Sequence, residues 1–94
     1  MLIGKNAKHN WDIISQANPE WIWFHVSNAP SAHIILEEEN PSKKDIYLAA
    51  IQCKKSSKYK KSNSILVTYC KVKYLEKGDK IGSVICKKTK TIRV

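Results

Sequence analysis

The strongest strand signal in the chain is Glu20-Trp21-Ile22-Trp23-Phe24-His25-Val26. The run is aromatic and β-branched, and neither glycine nor proline interrupts it, as is typical of strands. Because successive side chains of a strand point to opposite faces, Ile22, Phe24 and Val26 share one face. Trp21, Trp23 and His25 share the other face. The segment from Trp21 to Val26 is therefore predicted to be a strand with large side chains on both faces.

Further strand patterns lie on both sides of this segment. Asn28 and Pro30 predict a turn over residues 27–32, after which His33-Ile34-Ile35-Leu36 returns as a strand antiparallel to the first. The end of a short strand is expected at residues 1–3. Later strands are predicted over residues 65–70, continued or kinked through 71–75, and over 81–86 and 91–94. We expect these last strands to form a β-meander.

Two helices are predicted between the strands. The first begins at Asn10, which can cap its first turn, and ends at Asn18-Pro19. The second follows Pro41, with Ser42 as N-cap and Asp45 three residues later, as in a capping box. Its apolar residues recur at helical spacing and are expected to face the sheet. They are Ile46, Ala49, Ala50 and Cys53.

Length and composition fit one domain of this kind. The chain has 94 residues, of which 43% are hydrophobic and 27% charged, values typical of a globular domain. We therefore predict a single α+β domain over residues 1–94. Its sheet is expected to be mixed and mostly antiparallel, with a short N-terminal helix and a longer, basic amphipathic helix.

Positive charge is concentrated in the second half of the chain. There are 17 Lys and Arg against 8 Asp and Glu, which gives a formal net charge of +9. Of the basic residues, only Lys5 and Lys8 precede residue 43. Such a polycation favours a polyanionic partner, because each phosphate that is neutralised releases a condensed counterion. Nucleic acid and an anionic membrane surface both meet this description, and the alternative is a lysine-rich surface that only keeps the protein soluble.

The N-terminus and the cysteines indicate a cytoplasmic protein. No basic start is followed by a long apolar core, as in a signal peptide, and no apolar run reaches the roughly 20 residues that span a bilayer. The three cysteines, Cys53, Cys70 and Cys86, are odd in number and far apart. That pattern fits unpaired thiols in a reducing compartment, so we expect no disulfide scaffold.

Motifs of the common enzyme classes are absent from the sequence. It has no glycine-rich phosphate loop, G-x-S-x-G elbow, H-E-x-x-H helix or paired C-x-x-C. His25 and His33 flank the predicted turn, so a hairpin could bring the two imidazoles together. They could hold the turn in shape, contact a nucleotide, or bind metal or transfer protons, although a metal site would lack an evident third ligand. We expect a non-catalytic domain with no cofactor and no metal.

Two aromatic residues have both a structural and a binding interpretation. Trp23 shares a strand face with His25, and a tryptophan in that place is more often buried than exposed. An exposed indole beside lysines would instead be a stacking platform for an unpaired base. Tyr59 lies between Lys58 and Lys60 among polar neighbours, which favours the exposed alternative there.

The predicted strand over residues 21–26 and the turn after it resemble the signature of the NFACT-R (NFACT RNA-binding) domain family. That family typically has aspartate-isoleucine-tryptophan-phenylalanine-histidine-valine, then proline-glycine-serine-histidine and a β-branched run. The segments of this chain that are similar to the family, end to end, are 3–10, 20–26, 29–36, 48–50, 67–69 and 82–94. Two positions depart from the pattern, because Trp21 replaces the usual acidic residue and Ser31-Ala32 replaces glycine-serine.

The resemblance implies the RNA-binding module of ribosome-associated quality-control factors, which stay with the large subunit and engage tRNA. In those factors the domain is joined to larger parts. The 94 residues of this chain match the domain alone, so we expect a standalone version of the domain here. A similar serine-alanine-histidine motif occurs in a eukaryotic relative linked to DNA sensing. DNA is therefore kept as an alternative ligand.

We predict that the domain binds RNA, either tRNA or ribosomal RNA. The alternatives are DNA binding and an adaptor that docks on the ribosome or on a separately encoded partner; no membrane partner is expected. The residues predicted to contact nucleic acid are Lys5, Lys8, Trp23, His25, His33, Lys54, Lys55, Lys58, Tyr59, Lys60, Lys61, Lys71, Lys73 and Arg93. The five lysines between residues 54 and 61 are expected to be exposed and mobile, since the end of a helix already favours cations.

Overall fold

A computed structural model describes the whole chain, residues 1–94. It contains two helices and seven strands. In chain order they are β1 (Leu2–Ile3), α1 (Ala7–Gln16), β2 (Ile22–Val26), β3 (Ile34–Leu36), α2 (Lys43–Lys55), β4 (Leu66–Lys71), β5 (Leu75–Lys77), β6 (Val84–Cys86) and β7 (Lys90–Arg93). A single turn of 3-10 helix, Val72–Tyr74, joins β4 to β5. Neither helix is long and apolar enough to cross a membrane.

The strands form two antiparallel sheets. Five of them make one sheet in the order β1-β3-β2-β4-β7, while β5 and β6 form a separate hairpin. In the centre of the large sheet, Phe24 on β2 stands opposite Ile34 on β3 and Tyr69 on β4. The predicted α+β class and the antiparallel pairing of β2 with β3 are confirmed.

The expected β-meander at the end of the chain is wrong. The 3-10 turn after Lys71 takes the backbone out of the large sheet, which confirms the kinked alternative for this segment. After the β5–β6 hairpin the chain returns, and β7 pairs with β4. The last four strands are therefore divided between two sheets.

The predicted alternation of β2 is confirmed, and side chains on both of its faces are buried. Ile22, Phe24 and Val26 belong to a core beneath α2 that includes Ala49, Ala50 and Cys53 of that helix. On the other face, Trp23 packs in a second core. Its other buried members are Ile13, Ala17, Ile35, Cys70 and Val72.

Helix α1 begins three residues before the predicted start. The side chain of Asn6, not that of Asn10, caps it by accepting a hydrogen bond from the backbone N–H of His9.

The strand predicted over residues 81–86 is shorter at its start, because Gly82 adopts a φ of +85°. A β-carbon on Gly82 would lie 2.6 Å from the Cα of Ala7, so this loop packs directly against the beginning of α1.

Two of the cysteines come together in the fold. The sulfur atoms of Cys70 on β4 and Cys86 on β6 lie in contact, whereas Cys53 is a buried free thiol elsewhere in the core. Two of the three cysteines, which are far apart in the sequence, are therefore neighbours in the fold. Sequence spacing could not reveal this pair, because it depends on the hairpin folding back over β4 after the 3-10 turn at residues 72–74.

The predicted cap of α2 yields a test of its contribution to stability. Ser42 Oγ accepts a hydrogen bond from the backbone N–H of Asp45 at 3.1 Å. We expect Ser42→Ala to lower the free energy of unfolding by about 1 kcal/mol, measured by urea denaturation, because a backbone donor of the first turn loses its partner. Ser15→Ala, on an exposed position within α1, is the control and should cost nothing; an equal loss in both variants would contradict the capping role.

Candidate nucleic-acid interface

A polar groove lies between the beginning of α1 and the end of α2. Two adjoining cavities, of 430 and 410 Å³, share Ser31 and Ser56 and together form this groove. Lys5 lines one of the cavities and Lys58 lines the other. We call this depression the Ser31–Ser56 groove.

Two serine hydroxyls hold the floor of the groove in place. Ser31 Oγ accepts a hydrogen bond from the backbone N–H of Val26 and donates one to the carbonyl of Ala32. Ser56 Oγ accepts from the backbone N–H of Ala32 at 3.1 Å and donates to the carbonyl of Cys53 at 2.6 Å. The turn after β2 is thereby tied to the last turn of α2. Ser31 Oγ also lies 3.6 Å from Cys53 Sγ on α2. Since Ser31 stands where the family pattern has glycine, a residue that departs from the pattern takes part in this tie.

Four exposed lysines lie at the end of α2 and just after it. We call them the α2-end cluster: Lys55, Lys58, Lys60 and Lys61. None of the four ion pairs in the structure involves any of them. The C-terminal end of a helix carries partial negative charge, so these cations are placed favourably without a carboxylate partner.

Lys54, at the same end of α2, departs from the expectation of a mobile side chain. It is half-buried, and its Nζ donates a hydrogen bond to the carbonyl of Val94 at 3.3 Å. The prediction of five exposed, mobile lysines is therefore wrong for Lys54. Arg93 is exposed, and its Nη1 donates to Ser64 Oγ at 3.2 Å.

Tyr59 is more buried than predicted. Its ring packs against the core beneath α2, and Lys58 Nζ lies 5.3 Å from the ring centroid. The accessible part of the side chain lines a cavity together with Arg93. The exposed alternative, which the polar neighbours favoured, therefore holds only in part, because the turns after α2 fold back onto the core.

Trp23 and His33 are core residues. Each is 5% exposed, and the indole Nε1 of Trp23 donates a hydrogen bond to His33 Nδ1 at 3.1 Å. The Trp23 ring also stacks on that of His25, with ring planes 9° apart and centroids separated by 5.9 Å. A stacking platform needs a free ring face, so Trp23 is not available for a base in this structure. The structural interpretation of Trp23 and His33 is the one that the geometry favours.

The environment keeps both histidines of this cluster neutral. Burial, and then the neighbouring His25, lower the pKa of His33 from 6.5 to about 4. Burial also lowers the pKa of His25, whose Nδ1–H donates to its neighbouring carbonyl at Val26, 2.7 Å away. The ring centroids of His25 and His33 are 4.9 Å apart, so the turn does bring the two imidazoles together. No group of three or more His, Cys, Asp or Glu side chains is placed to hold a metal ion.

Lys71 and Lys73 share one carboxylate. Each Nζ lies 2.8 Å from an oxygen of Glu20. Hydrogen bonds first from Lys71 and then from Lys73 lower the pKa of Glu20 to about 2. This pairing was missed in the sequence because Glu20 precedes both lysines by some fifty residues, and only the β2–β4 register brings them together.

The structure places most of the predicted contact residues in three groups. Lys5 and Lys58 line the Ser31–Ser56 groove, and the other lysines of the α2-end cluster are exposed close to Lys58 in the chain, while Lys8 is exposed near the beginning of α1. Lys71 and Lys73 lie toward the other end of α2, a helix about 20 Å long. Trp23, His25 and His33 form the third group, on the sheet face opposite α2. The serine floor of the groove is the part that charge and aromatic patterns gave no reason to expect.

The buried histidines predict a specific pH dependence. The unfolded chain protonates His33 near pH 6.5, whereas the folded domain does so only at about 4. Between these values the unfolded state binds more protons, so the free energy of unfolding should fall as the pH falls through this window. Thermal melts across it should show this decline for the wild type and a shallower one for His33→Gln, which cannot titrate. Parallel declines in the two proteins would contradict the assignment.

Comparison with known proteins places this fold in a family. The family described as "NFACT protein RNA binding domain" matches residues 1–89. The Rqc2 homolog RqcH of Bacillus subtilis (strain 168) is 32% identical over 87 residues, which are 89% of this chain and 15% of that protein. The structure of the C-terminal part of the fibronectin/fibrinogen-binding protein from Streptococcus suis (FBPS) matches with a TM-score of 0.90 at 33% identity. It covers 99% of this chain, which in turn spans only 39% of that one. This chain therefore belongs to the NFACT RNA-binding domain family.

Proposed function

We propose that the domain binds RNA along the Ser31–Ser56 groove and the α2-end cluster. The observation that carries the proposal is a polar groove lined by Lys5 and Lys58, neither of which has a carboxylate partner. Membership of the family supports RNA as the class of polyanion. Phosphate oxygens would accept hydrogen bonds from the lysine ammonium groups, and the groove's hydroxyls suit ribose and phosphate oxygens.

This mode of binding is electrostatic and reads little sequence. Lysine is a compact point charge on a flexible stem, so it contacts phosphates without discriminating between bases. Such an interface suits an RNA that is recognised through its backbone and not through its base sequence. We infer that the ligand is tRNA or ribosomal RNA, within ribosome-associated quality control in the cytoplasm. The similarity to RqcH, itself described as an Rqc2 homolog, supports this finer inference, and a docking role on the ribosome would use the same surface.

Replacing the two lysines that line the groove tests the interface. We expect Lys5→Gln/Lys58→Gln to weaken binding of a single-stranded RNA and to reduce the slope of log Kd against log salt by about 1.4, since each phosphate contact contributes roughly 0.7. Fluorescence anisotropy over a KCl series measures both quantities. Melting temperature should change little, because exposed substitutions usually alter stability by no more than about 0.5 kcal/mol.

The matched control is Lys77→Gln/Lys87→Gln, which removes the same charge from the β5–β6 hairpin. It should leave the salt slope nearly unchanged. If the two double variants lose affinity equally, net charge rather than the groove accounts for binding, and the proposed interface is wrong. Repeating the titration with DNA of the same sequence separates RNA from DNA as the preferred ligand.

Glu20 provides a test in the opposite direction. Its carboxylate forms ion pairs with the ammonium groups of Lys71 and Lys73. If phosphates compete for these lysines, Glu20→Gln should raise RNA affinity severalfold, more than Asp12→Asn does. Both changes add one positive charge, but Asp12 is exposed on α1 and takes part in none of the ion pairs. Equal affinities for the two variants in the same anisotropy assay would show that RNA does not reach Lys71 and Lys73.

A further inference from the structure

A separate cavity of 440 Å³ opens near the beginning of α2. Tyr69 of β4 and Tyr74 of the 3-10 turn contribute its aromatic lining, and Ile22 and Ile46 contribute apolar surface. Lys71, Lys88 and Lys90 supply its cations, and Glu39 is the one acidic residue in its lining. We call this cavity the Tyr69–Tyr74 cleft. The pattern analysis of the sequence singled out neither tyrosine, and of the three lysines only Lys71.

The two tyrosines are held in position by their neighbours. Tyr69 stacks on the fully buried Phe24, with centroids 5.5 Å apart and ring planes at 20°, so its orientation is set by the core. Tyr74 packs against the second core and has Lys88 Nζ 5.0 Å and Lys73 Nζ 5.5 Å from its ring centroid. Both rings are only half-buried, so each keeps accessible surface toward the cleft.

The cations of the cleft differ in how free they are. Lys71 is held by Glu20 at 2.8 Å, whereas Lys88 and Lys90 are exposed and take part in none of the ion pairs. Lys90 stands opposite Tyr69 in the β4–β7 register. Two ammonium groups outside the ion pairs, those of Lys88 and Lys90, therefore lie next to preoriented aromatic rings, in a cleft that Glu39 also lines.

We propose that the Tyr69–Tyr74 cleft binds one unpaired nucleotide, with its base against the tyrosine rings and its phosphate on Lys88 and Lys90. A planar base has a π-face that packs on an aromatic ring, and the attached phosphate needs cations at short range. The cleft has an aromatic zone, formed by the tyrosines, and a cationic zone, formed by Lys88 and Lys90, which match the two halves of one nucleotide. The volume is within the range of small-molecule sites. This inference rests on the proposed function, since the nucleotide is taken to belong to an RNA strand that also contacts the groove at the far end of α2.

Titration with free nucleotide tests the cleft without RNA. We expect adenosine 5′-monophosphate to shift the backbone amide resonances of Tyr69, Tyr74, Lys88 and Lys90 in a saturable manner. Adenosine alone and inorganic phosphate alone should each bind at least about tenfold more weakly, because each engages one zone only. If phosphate alone binds as tightly as the nucleotide, the cleft is an anion site and the proposal is wrong. The absence of shifts at these four residues would also overturn it.

Variants of Tyr74 test the same site in RNA binding. We expect Tyr74→Leu to weaken binding of single-stranded RNA by about fivefold or more, since stacking on one base is worth that much. Tyr74→Phe should restore the affinity because it keeps the ring. Tyr47→Leu is the control, since Tyr47 is 46% exposed on α2 and lies outside the cleft. Equal affinities of the Leu and Phe variants of Tyr74 would show that the ring does not stack on a base.

The two proposals fail in distinguishable ways. If RNA binds through the groove lysines while neither adenosine monophosphate nor the Tyr74 variants respond, the cleft is wrong and the proposed function stands. If the mononucleotide occupies the cleft but RNA affinity does not depend on Lys5 and Lys58, the cleft stands and the groove is wrong.

Discussion

The constraint on which the rest of the structure depends is that β2 is covered on both faces. Phe24 is fully buried beneath α2, and Trp23, one residue earlier, is buried beneath α1 and the β5–β6 hairpin. A strand that is large and apolar on both sides loses stability wherever either face meets water. The chain must therefore supply one layer above the sheet and another below it. The hydrogen bond from Trp23 to His33 then links β2 to the start of β3 inside the lower layer.

Because the large side chains of β2 are buried, the surface of the domain is formed by other side chains. Trp23 and His33, which the sequence offered as nucleotide contacts, are used for packing. The two proposed binding surfaces therefore lie elsewhere, at the two ends of α2. At its C-terminal end, serine hydroxyls and unpaired lysines border a groove. Near its N-terminal end, two tyrosines and free lysines border a cleft. In the proposed mode of binding, helix α2 would act as a spacer, because an RNA strand that runs alongside it would meet phosphate contacts at one end and a base contact at the other.

The parts of the fold that could be predicted from the sequence were those that local pattern determines. The alternation in residues 21–26 revealed β2 and its two faces, and Ser42 with Asp45 located the beginning of α2. What could not be predicted depends on contacts between distant segments. Glu20 meets Lys71 and Lys73 only through strand register, and Cys70 meets Cys86 only after the 3-10 turn. The backbone N–H of Ala32 meets Ser56 Oγ only when the turn docks on α2. Charge patterning located the basic end of α2 but could not show that Lys54 is tied to Val94.

The most direct test of the account is lysine footprinting with and without bound RNA. Mild acetylation followed by mass spectrometry reports the reactivity of each lysine in the same sample. The account predicts that RNA protects Lys5 and the α2-end cluster, while Lys77 and Lys87 on the hairpin stay as reactive as in the free domain. Protection that is uniform over the surface, or that is confined to the hairpin lysines, would contradict the claim that the end of α2 and the Ser31–Ser56 groove form the RNA interface.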